Sequence, residues 1–232
     1  MKNVLAAGLF MSVAAMASPA SAATYFGYTA NPASAVNGPA KAANTDFLAA
    51  LTRYSVEDFE SIALNTAAPL ALTFEGSFGP VAASYTGDGS IRSKYNGAYP
   101  TSGTHDILTF GSGTLNFATP TTAFGLYVTD ASDFRNPLFL DVITGTGTLT
   151  TYVVSDGTQA PNGSLRFFGL TSAEAISSIT FRGPGRWDSF GYDDMIVGTA
   201  AVPEPSTWAM MILGVGAVGG ALRGRKRALL TA

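Results

Sequence analysis

The sequence predicts a mainly β protein: a two-sheet antiparallel β-sandwich, jelly-roll-like, with an immunoglobulin-like sandwich as the alternative and a transmembrane helix at the C-terminus. Two observations carry the sandwich. From about Val56 onward apolar and polar residues alternate with period two, and Gly, Asn, Asp and Ser clusters separate the alternating runs at fairly regular spacing. Long helical periodicity is missing from that region, which favours sheet packed on sheet.

Taken in order, Leu70–Glu75 points Leu70, Leu72 and Phe74 to one side, and Phe124–Thr129 does the same with Phe124, Leu126 and Val128. Leu138–Ile143 and Thr148–Val154 flank Thr144-Gly145-Thr146-Gly147, the pattern of a hairpin closed by a glycine turn. Ser164–Leu170, Ser178–Arg182 and Asp194–Val197 complete the series. Thr171 and Glu174 have the spacing of a capping box, predicting one helical turn between two strands. Residues 23–55, rich in Ala, Asn and Pro, read as an irregular lead-in with one short helix capped by Asn44 or Thr45 and running to Arg53. The domain proper then covers residues 56–200.

Composition narrows the functions. The chain has 13 Lys and Arg against 16 Asp and Glu, and several cations sit at its ends, so the middle is acidic and repels nucleic acid. Cysteine is absent, which excludes disulfides, zinc–thiolate sites and thiol catalysis. The single histidine, His105, lies in a Gly- and Pro-marked stretch and reads as a loop residue, and no serine sits in a nucleophile elbow.

The two ends have their own logic. Residues 1–22 read as a signal peptide: Lys2, an apolar run from Val4 to Ala17, then Ser18-Pro19-Ala20-Ser21-Ala22 for cleavage after Ala22 or Ala23. Residues 201–232 read as a sorting tail. Pro203-Glu204-Pro205 and Trp208 precede an apolar stretch to Leu222, followed by Arg223, Arg225, Lys226 and Arg227 as a stop-transfer cluster. The stretch is shorter than the roughly 20 residues that span a bilayer comfortably. The cations should stay cytoplasmic, leaving the domain outside the inner membrane.

Pro-Glu-Pro, Trp, span and basic end occur together and in order, and this tail resembles the PEP-CTERM sorting signal in its P-E-P-x-x-W-A variant. The resemblance covers about the last 30 residues. It implies recognition of Pro203, Glu204, Pro205 and Trp208 by an exosortase, transient anchoring in the inner membrane, and passage to the cell surface or extracellular matrix alongside exopolysaccharide. The segments around Asp58-Phe59-Glu60, Phe124–Asp133 and Phe190–Asp194 more loosely resemble ectodomains common among proteins with this tail.

Three constellations are candidates for chemistry. Asp58 and Glu60 on the first strand and Asp193 and Asp194 on the last form a candidate structural calcium site, since a hard cation takes several oxygens. Asp130 and Asp133 form a second oxygen-rich loop. Arg186-Trp187-Asp188 offers a flat ring beside two hydrogen-bonding groups, a candidate ligand surface, and Tyr85, Tyr95, Tyr99 and Tyr192 are further rings near glycine-rich loops. The reading that follows is an exported, non-catalytic surface or matrix protein that binds a glycan or another matrix component. A secreted carbohydrate-active hydrolase is the alternative, needing two carboxylates across a cleft.

Overall fold

The computed structural model describes residues 22–32, 35–183, 188–201 and 211–219. The signal-peptide segment, Pro203, Glu204, Pro205, Trp208, Arg186, Trp187 and the cluster Arg223, Arg225, Lys226 and Arg227 lie outside the described residues. Within 201–232, residues 211–219 are helical. Among the described residues no helix is long and apolar enough to cross a membrane.

Residues 22–201 are mainly strand. The elements are β1 (Ala23–Thr29), α1 (Gly38–Ala49), β2 (Leu51–Glu57), β3 (Leu70–Gly76), β4 (Val81–Gly87), β5 (Ser90–Arg92), β6 (Asp106–Thr109), β7 (Gly113–Thr129), β8 (Leu138–Thr144), β9 (Leu149–Ser155), β10 (Leu165–Arg182) and β11 (Phe190–Ala200). The expected strand at Leu70 and the Leu138–Val154 hairpin are present, the latter with Asp141 opposite Thr151.

The fold is sandwich-like, but its hydrogen bonding forms one continuous eleven-stranded sheet rather than two separate ones. The cause is the length of β7 and β10. They pair with each other over both halves, Leu165 opposite Thr129 at one end and Phe181 opposite Gly113 at the other. The N-terminal half of β7 pairs with β4, and its C-terminal half pairs with β11. Likewise one half of β10 pairs with β1 and the other with β8. Each long strand therefore passes from one layer into the other.

The passage is marked chemically. The β10 register breaks between Thr171 and Ile176 and again before Ser178, and extra residues on one strand bend it. Opposite lies Pro120, which has no N–H to give to a ladder. The expected helical turn at Thr171–Glu174 is this irregularity within β10: Ser172 Oγ accepts from the Glu174 N–H at 3.1 Å, a local bond compatible with a bent strand.

β11 pairs along its other edge with β6 and then β2, and β2 meets β3 at Ser55 and Val56. The ladder β7–β4–β3–β2–β11 thus returns to β7. Closure removes edges; β1, β5 and β9 remain at the margins of the sheet.

Alternate residues from both layers fill the core. Leu70, Leu72 and Phe74 of β3, Leu115, Phe124 and Leu126 of β7 and Phe181 of β10 are buried in one cluster with Phe190, Tyr192 and Val197 of β11. Rings link the layers: Phe117 lies 6.1 Å from Phe124, Phe124 lies 6.2 Å from Phe181, and Phe181 stacks on Tyr192 at 5.0 Å. Such contacts add to the gain from area burial.

Most of the described residues in the segment 23–55 are regular, contrary to expectation. Its helix begins at Gly38 after Asn37, with Pro39 in the first turn, and ends at Ala49; Leu51–Arg53 already belong to β2. Proline in the first turn costs no intrahelical bond, which explains the earlier start. Ala40, Ala43 and Phe47 face a second cluster containing Ala123, Tyr127, Leu165, Phe167 and Ile196, so the helix covers the outer face of the β7–β10–β11 layer.

Phe47 fits there because the sheet leaves a hole. Gly125 and Gly169 are cross-strand partners. A Cβ on either would fall 2.7 Å from the Phe47 ring. Truncating Phe47 to Ala should destabilise the domain by about 3–5 kcal/mol. Gly169→Ala should cost about 1–3 kcal/mol by overpacking. Urea unfolding followed by intrinsic fluorescence measures both, and an unchanged midpoint for both variants would contradict this docking.

Candidate functional site

The expected calcium ligands come from neighbouring places, since Met195 of β11 pairs with Glu57 of β2. They do not form a cage. Their oxygens instead hold the loop that precedes β6. A register shift after Asp193 and a left-handed Asp194 (φ 46°) turn both carboxylates toward this loop. Asp193 Oδ2 accepts from the Thr101 N–H at 2.6 Å and the Ser102 N–H at 3.0 Å. Asp194 accepts from the Thr101 hydroxyl at 2.8 Å and the Ser102 hydroxyl at 2.7 Å. Glu60 takes the Thr104 and His105 N–H groups, each at 2.6 Å. Asp58 Oδ1 accepts from the Glu60 N–H at 3.2 Å and remains exposed.

This arrangement does not fit a hard cation. The carboxylates are already engaged with N–H and O–H donors. Among the described residues no group of three or more His, Asp or Glu side chains is placed to hold a metal. The sequence signal, acidic residues at the ends of adjacent strands, also describes acceptors for a loop's orphan donors.

Other buried acids do the same work less completely. Glu57, which sequence reasoning passed over, accepts from the Phe59 N–H at 2.9 Å and the Thr73 N–H at 2.8 Å, tying β2 to β3; burial raises its pKa. Asp130 accepts from the Gly163 N–H at 2.7 Å, and burial, with smaller contributions from the charges of Asp133 and Asp188, raises its pKa to about 7. Asp188 is buried, not displayed for a ligand: burial chiefly and its contact with Asp133 secondarily raise its pKa, while Asn136 donates to it at 3.3 Å. Burial first, then the charge of Asp194, raises Asp193 as well. Asp106 has two buried oxygens with no hydrogen-bond partner, and burial raises it to about 7.

Of the rings singled out, Tyr85, Tyr99 and Tyr192 belong to the core, and Tyr95 is 43% exposed. Tyr95 meets Phe110 edge-on at 5.7 Å, and Phe110 is itself 41% exposed. The two rings line a cleft of about 510 Å³ beside β5 and β6 with Leu64, Asn65, Arg92 and Lys94. Arg92 is oriented by Asn65 Oδ1 and by Ser90 Oγ, to which its Nε donates at 3.1 Å. Aromatic faces, an amide and two cations therefore share one concavity whose lining holds no carboxylate. Phe110 was missed because it follows the buried β6; its signal was the Phe-Gly-Ser-Gly turn composition after that strand. A second groove, of about 390 Å³, lies between β1 and β9 and is lined by Phe26, Tyr28, Thr158, Gln159 and Arg166 among others.

The domain is mainly β and sandwich-like, with surface clefts at its strand margins. Residues 201–227 match the family model described as the PEP-CTERM protein-sorting motif, so the chain carries that motif. No curated protein matches. Among solved structures, the K2 cleaved adhesin domain of Lys-gingipain is 14% identical with a TM-score of 0.40, covering 63% of this chain and 98% of that one. The C-terminal family 22 carbohydrate-binding module of Clostridium thermocellum Xyn10B is 15% identical with a TM-score of 0.38, covering 66% and 98%. The family 11 module of the C. thermocellum cellulase Lic26A-Cel5E is 12% identical with a TM-score of 0.37, again covering 66% and 98%.

The raised acids make stability depend on pH in a definite direction. Asp106 and Asp130 hold protons in the folded state up to about pH 7 and release them near pH 4 when unfolded. The folded state thus binds more protons between those values, and this stabilisation is lost as pH rises through about 7. The melting temperature should be higher at pH 5 than at pH 8 by at least about 3 °C. Asp106→Asn, neutral at both values, should narrow the difference. Scanning calorimetry checks both; a higher melting temperature at pH 8 would sink the argument.

Proposed function

We propose that the protein is exported, handled by an exosortase through its tail, and delivered to the cell surface or extracellular matrix, where its β-sandwich acts as a non-catalytic glycan-binding module. The sorting motif at residues 201–227 carries the first part. A signal peptide at 1–22, transient residence in the inner membrane and Arg223, Arg225, Lys226 and Arg227 as stop-transfer residues are its natural companions. Removing residues 203–232 should shift the exported domain from the membrane fraction to the periplasm or medium. A truncated protein that still sediments with membranes would overturn the sorting assignment.

The second part is supported by the cleft at β5 and β6. A sugar ring has an apolar face for stacking and a rim of hydroxyls for hydrogen bonding, and Tyr95, Phe110, Asn65 and Arg92 offer both. Catalysis finds less support. Hydrolysis of a glycoside needs two carboxylates facing each other across substrate. The cleft has none in its lining, the β1–β9 groove has only Asp156, and the strongly perturbed acids Asp106, Asp130, Asp188 and Asp193 are buried outside both linings. Exopolysaccharide from the same surface is the proposed ligand class. In affinity electrophoresis through gels containing it, Tyr95→Ala should weaken retardation by about tenfold, the worth of one good aromatic contact. Equal retardation of wild type and variant would remove the cleft from the proposal.

A further inference from the structure

The groove between β1 and β9 contains an unusual charge. Arg166, on β10, is 5% exposed in an otherwise acidic domain. Its Nη1 donates to the Ala131 carbonyl at 2.5 Å and to Ser164 Oγ at 3.1 Å. Among the described residues Nε and Nη2 have no protein acceptor, and the single ion pair within contact distance is Arg182 with Asp141, elsewhere on the sheet. Asp156 lies near enough to favour the charge of Arg166, but its Oδ1 accepts from the Thr158 N–H at 2.8 Å. Burial accordingly pulls the guanidinium pKa below its ordinary value.

A buried cation without a contacting anion is costly, and its position here is held firmly. The Tyr28 ring lies under the guanidinium at 4.7 Å. With Nη1 anchored, the remaining Nε–Nη2 edge is one of the two edges by which arginine grips a carboxylate with parallel hydrogen bonds. Around it the groove presents Phe26, 53% exposed, the exposed side chains of Thr158 and Gln159, and Asp156, whose Oδ1 is taken by the Thr158 N–H.

We propose that this groove binds a carboxylate-bearing sugar of an acidic polysaccharide, the carboxylate on the Nε–Nη2 edge of Arg166 and the ring against Phe26. A sugar acid is favoured over an acidic peptide because the lining couples one exposed aromatic face to the Thr158 hydroxyl and the Gln159 amide beside the cation. The site is separate from the Tyr95–Phe110 cleft and stands or falls independently of it.

The test is calorimetric titration of the full chain in mild detergent with a galacturonic acid trimer, its methyl ester and a glutamate trimer. The acid trimer should bind, with its ester and the glutamate trimer at least about tenfold weaker, since esterification removes the charged half of the bidentate pair. Phe26→Ala and Gln159→Ala alter exposed positions and should each weaken binding of the acid trimer. Arg166→Lys, which keeps charge but not the fork, should weaken binding of the acid trimer and narrow the preference for acid over ester. Tyr95→Ala should leave all of this unchanged. Absence of binding, equal binding of acid and ester, or a glutamate trimer that binds as tightly would overturn the proposal. Binding lost in Tyr95→Ala but kept in Phe26→Ala would move acidic-sugar recognition to the other cleft and also overturn it.

Discussion

The pairing of β7 with β10 is the constraint from which the rest of the architecture follows. Two strands of 17 and 18 residues cannot both stay flat and enclose a core, because sheets of that length twist and must bend to bury one face. Here they bend together, near Pro120 on one and the Thr171–Ser178 irregularities on the other. Each half then recruits its own neighbours: β4 and β8 in one layer, β11 and β1 in the other. The aromatic contacts Phe117–Phe124–Phe181 run along the bent pair itself, so the interlayer core is built largely by the strands that define the layers.

The same pair explains the N-terminal segment. Its outer face in the second layer is apolar at Ala123, Tyr127, Leu165 and Phe167, and the Gly125–Gly169 pair is too open to remain bare. The Phe47 ring closes it, with Tyr25 of β1 edge-on at 5.5 Å and Phe167 at 5.7 Å. Because β7–β4–β3–β2–β11 closes, the margins left for recognition are few. Both the cleft at β5 and the groove at β1 and β9 lie on them. In a domain of this size, concavities form where the ladder stops and side chains of two layers meet solvent together.

Much of this was legible in the sequence, and the failures have physical causes. Alternation found β3 and β8, which have one wet and one dry side, and parts of β7, β9 and β10. It divided β10 in two, since a bulge shifts the phase of alternation and looks like a break. It missed β1 and β2, where α1 covers the expected wet face, so the pattern is not simply polar and apolar in turn. The end motifs were legible because they are linear and specific. The candidate calcium set was legible only as composition. Nothing in Asp193-Asp194 tells an oxygen aimed at a cation from one aimed at the Thr101 and Ser102 amides; the loop conformation decides that.

That distinction governs where binding can occur. The domain is acidic, and most of its carboxylates sit at the ends of strands, where irregular loops carry amide groups that no ladder satisfies. A carboxylate is the strongest acceptor available for them, and each buried amide left without an acceptor would cost about 1–3 kcal/mol. Glu57, Glu60, Asp130 and Asp193 are committed in this way, and Asp194 takes the Thr101 and Ser102 hydroxyls. At the two surface clefts the unspent hydrogen-bonding capacity is on donors. Arg166 holds a free guanidinium edge, while Arg92 and Lys94 line a cleft free of carboxylates. Few cations remain in the folded domain, and those at clefts set beside exposed rings carry more information about a ligand than the many acids do.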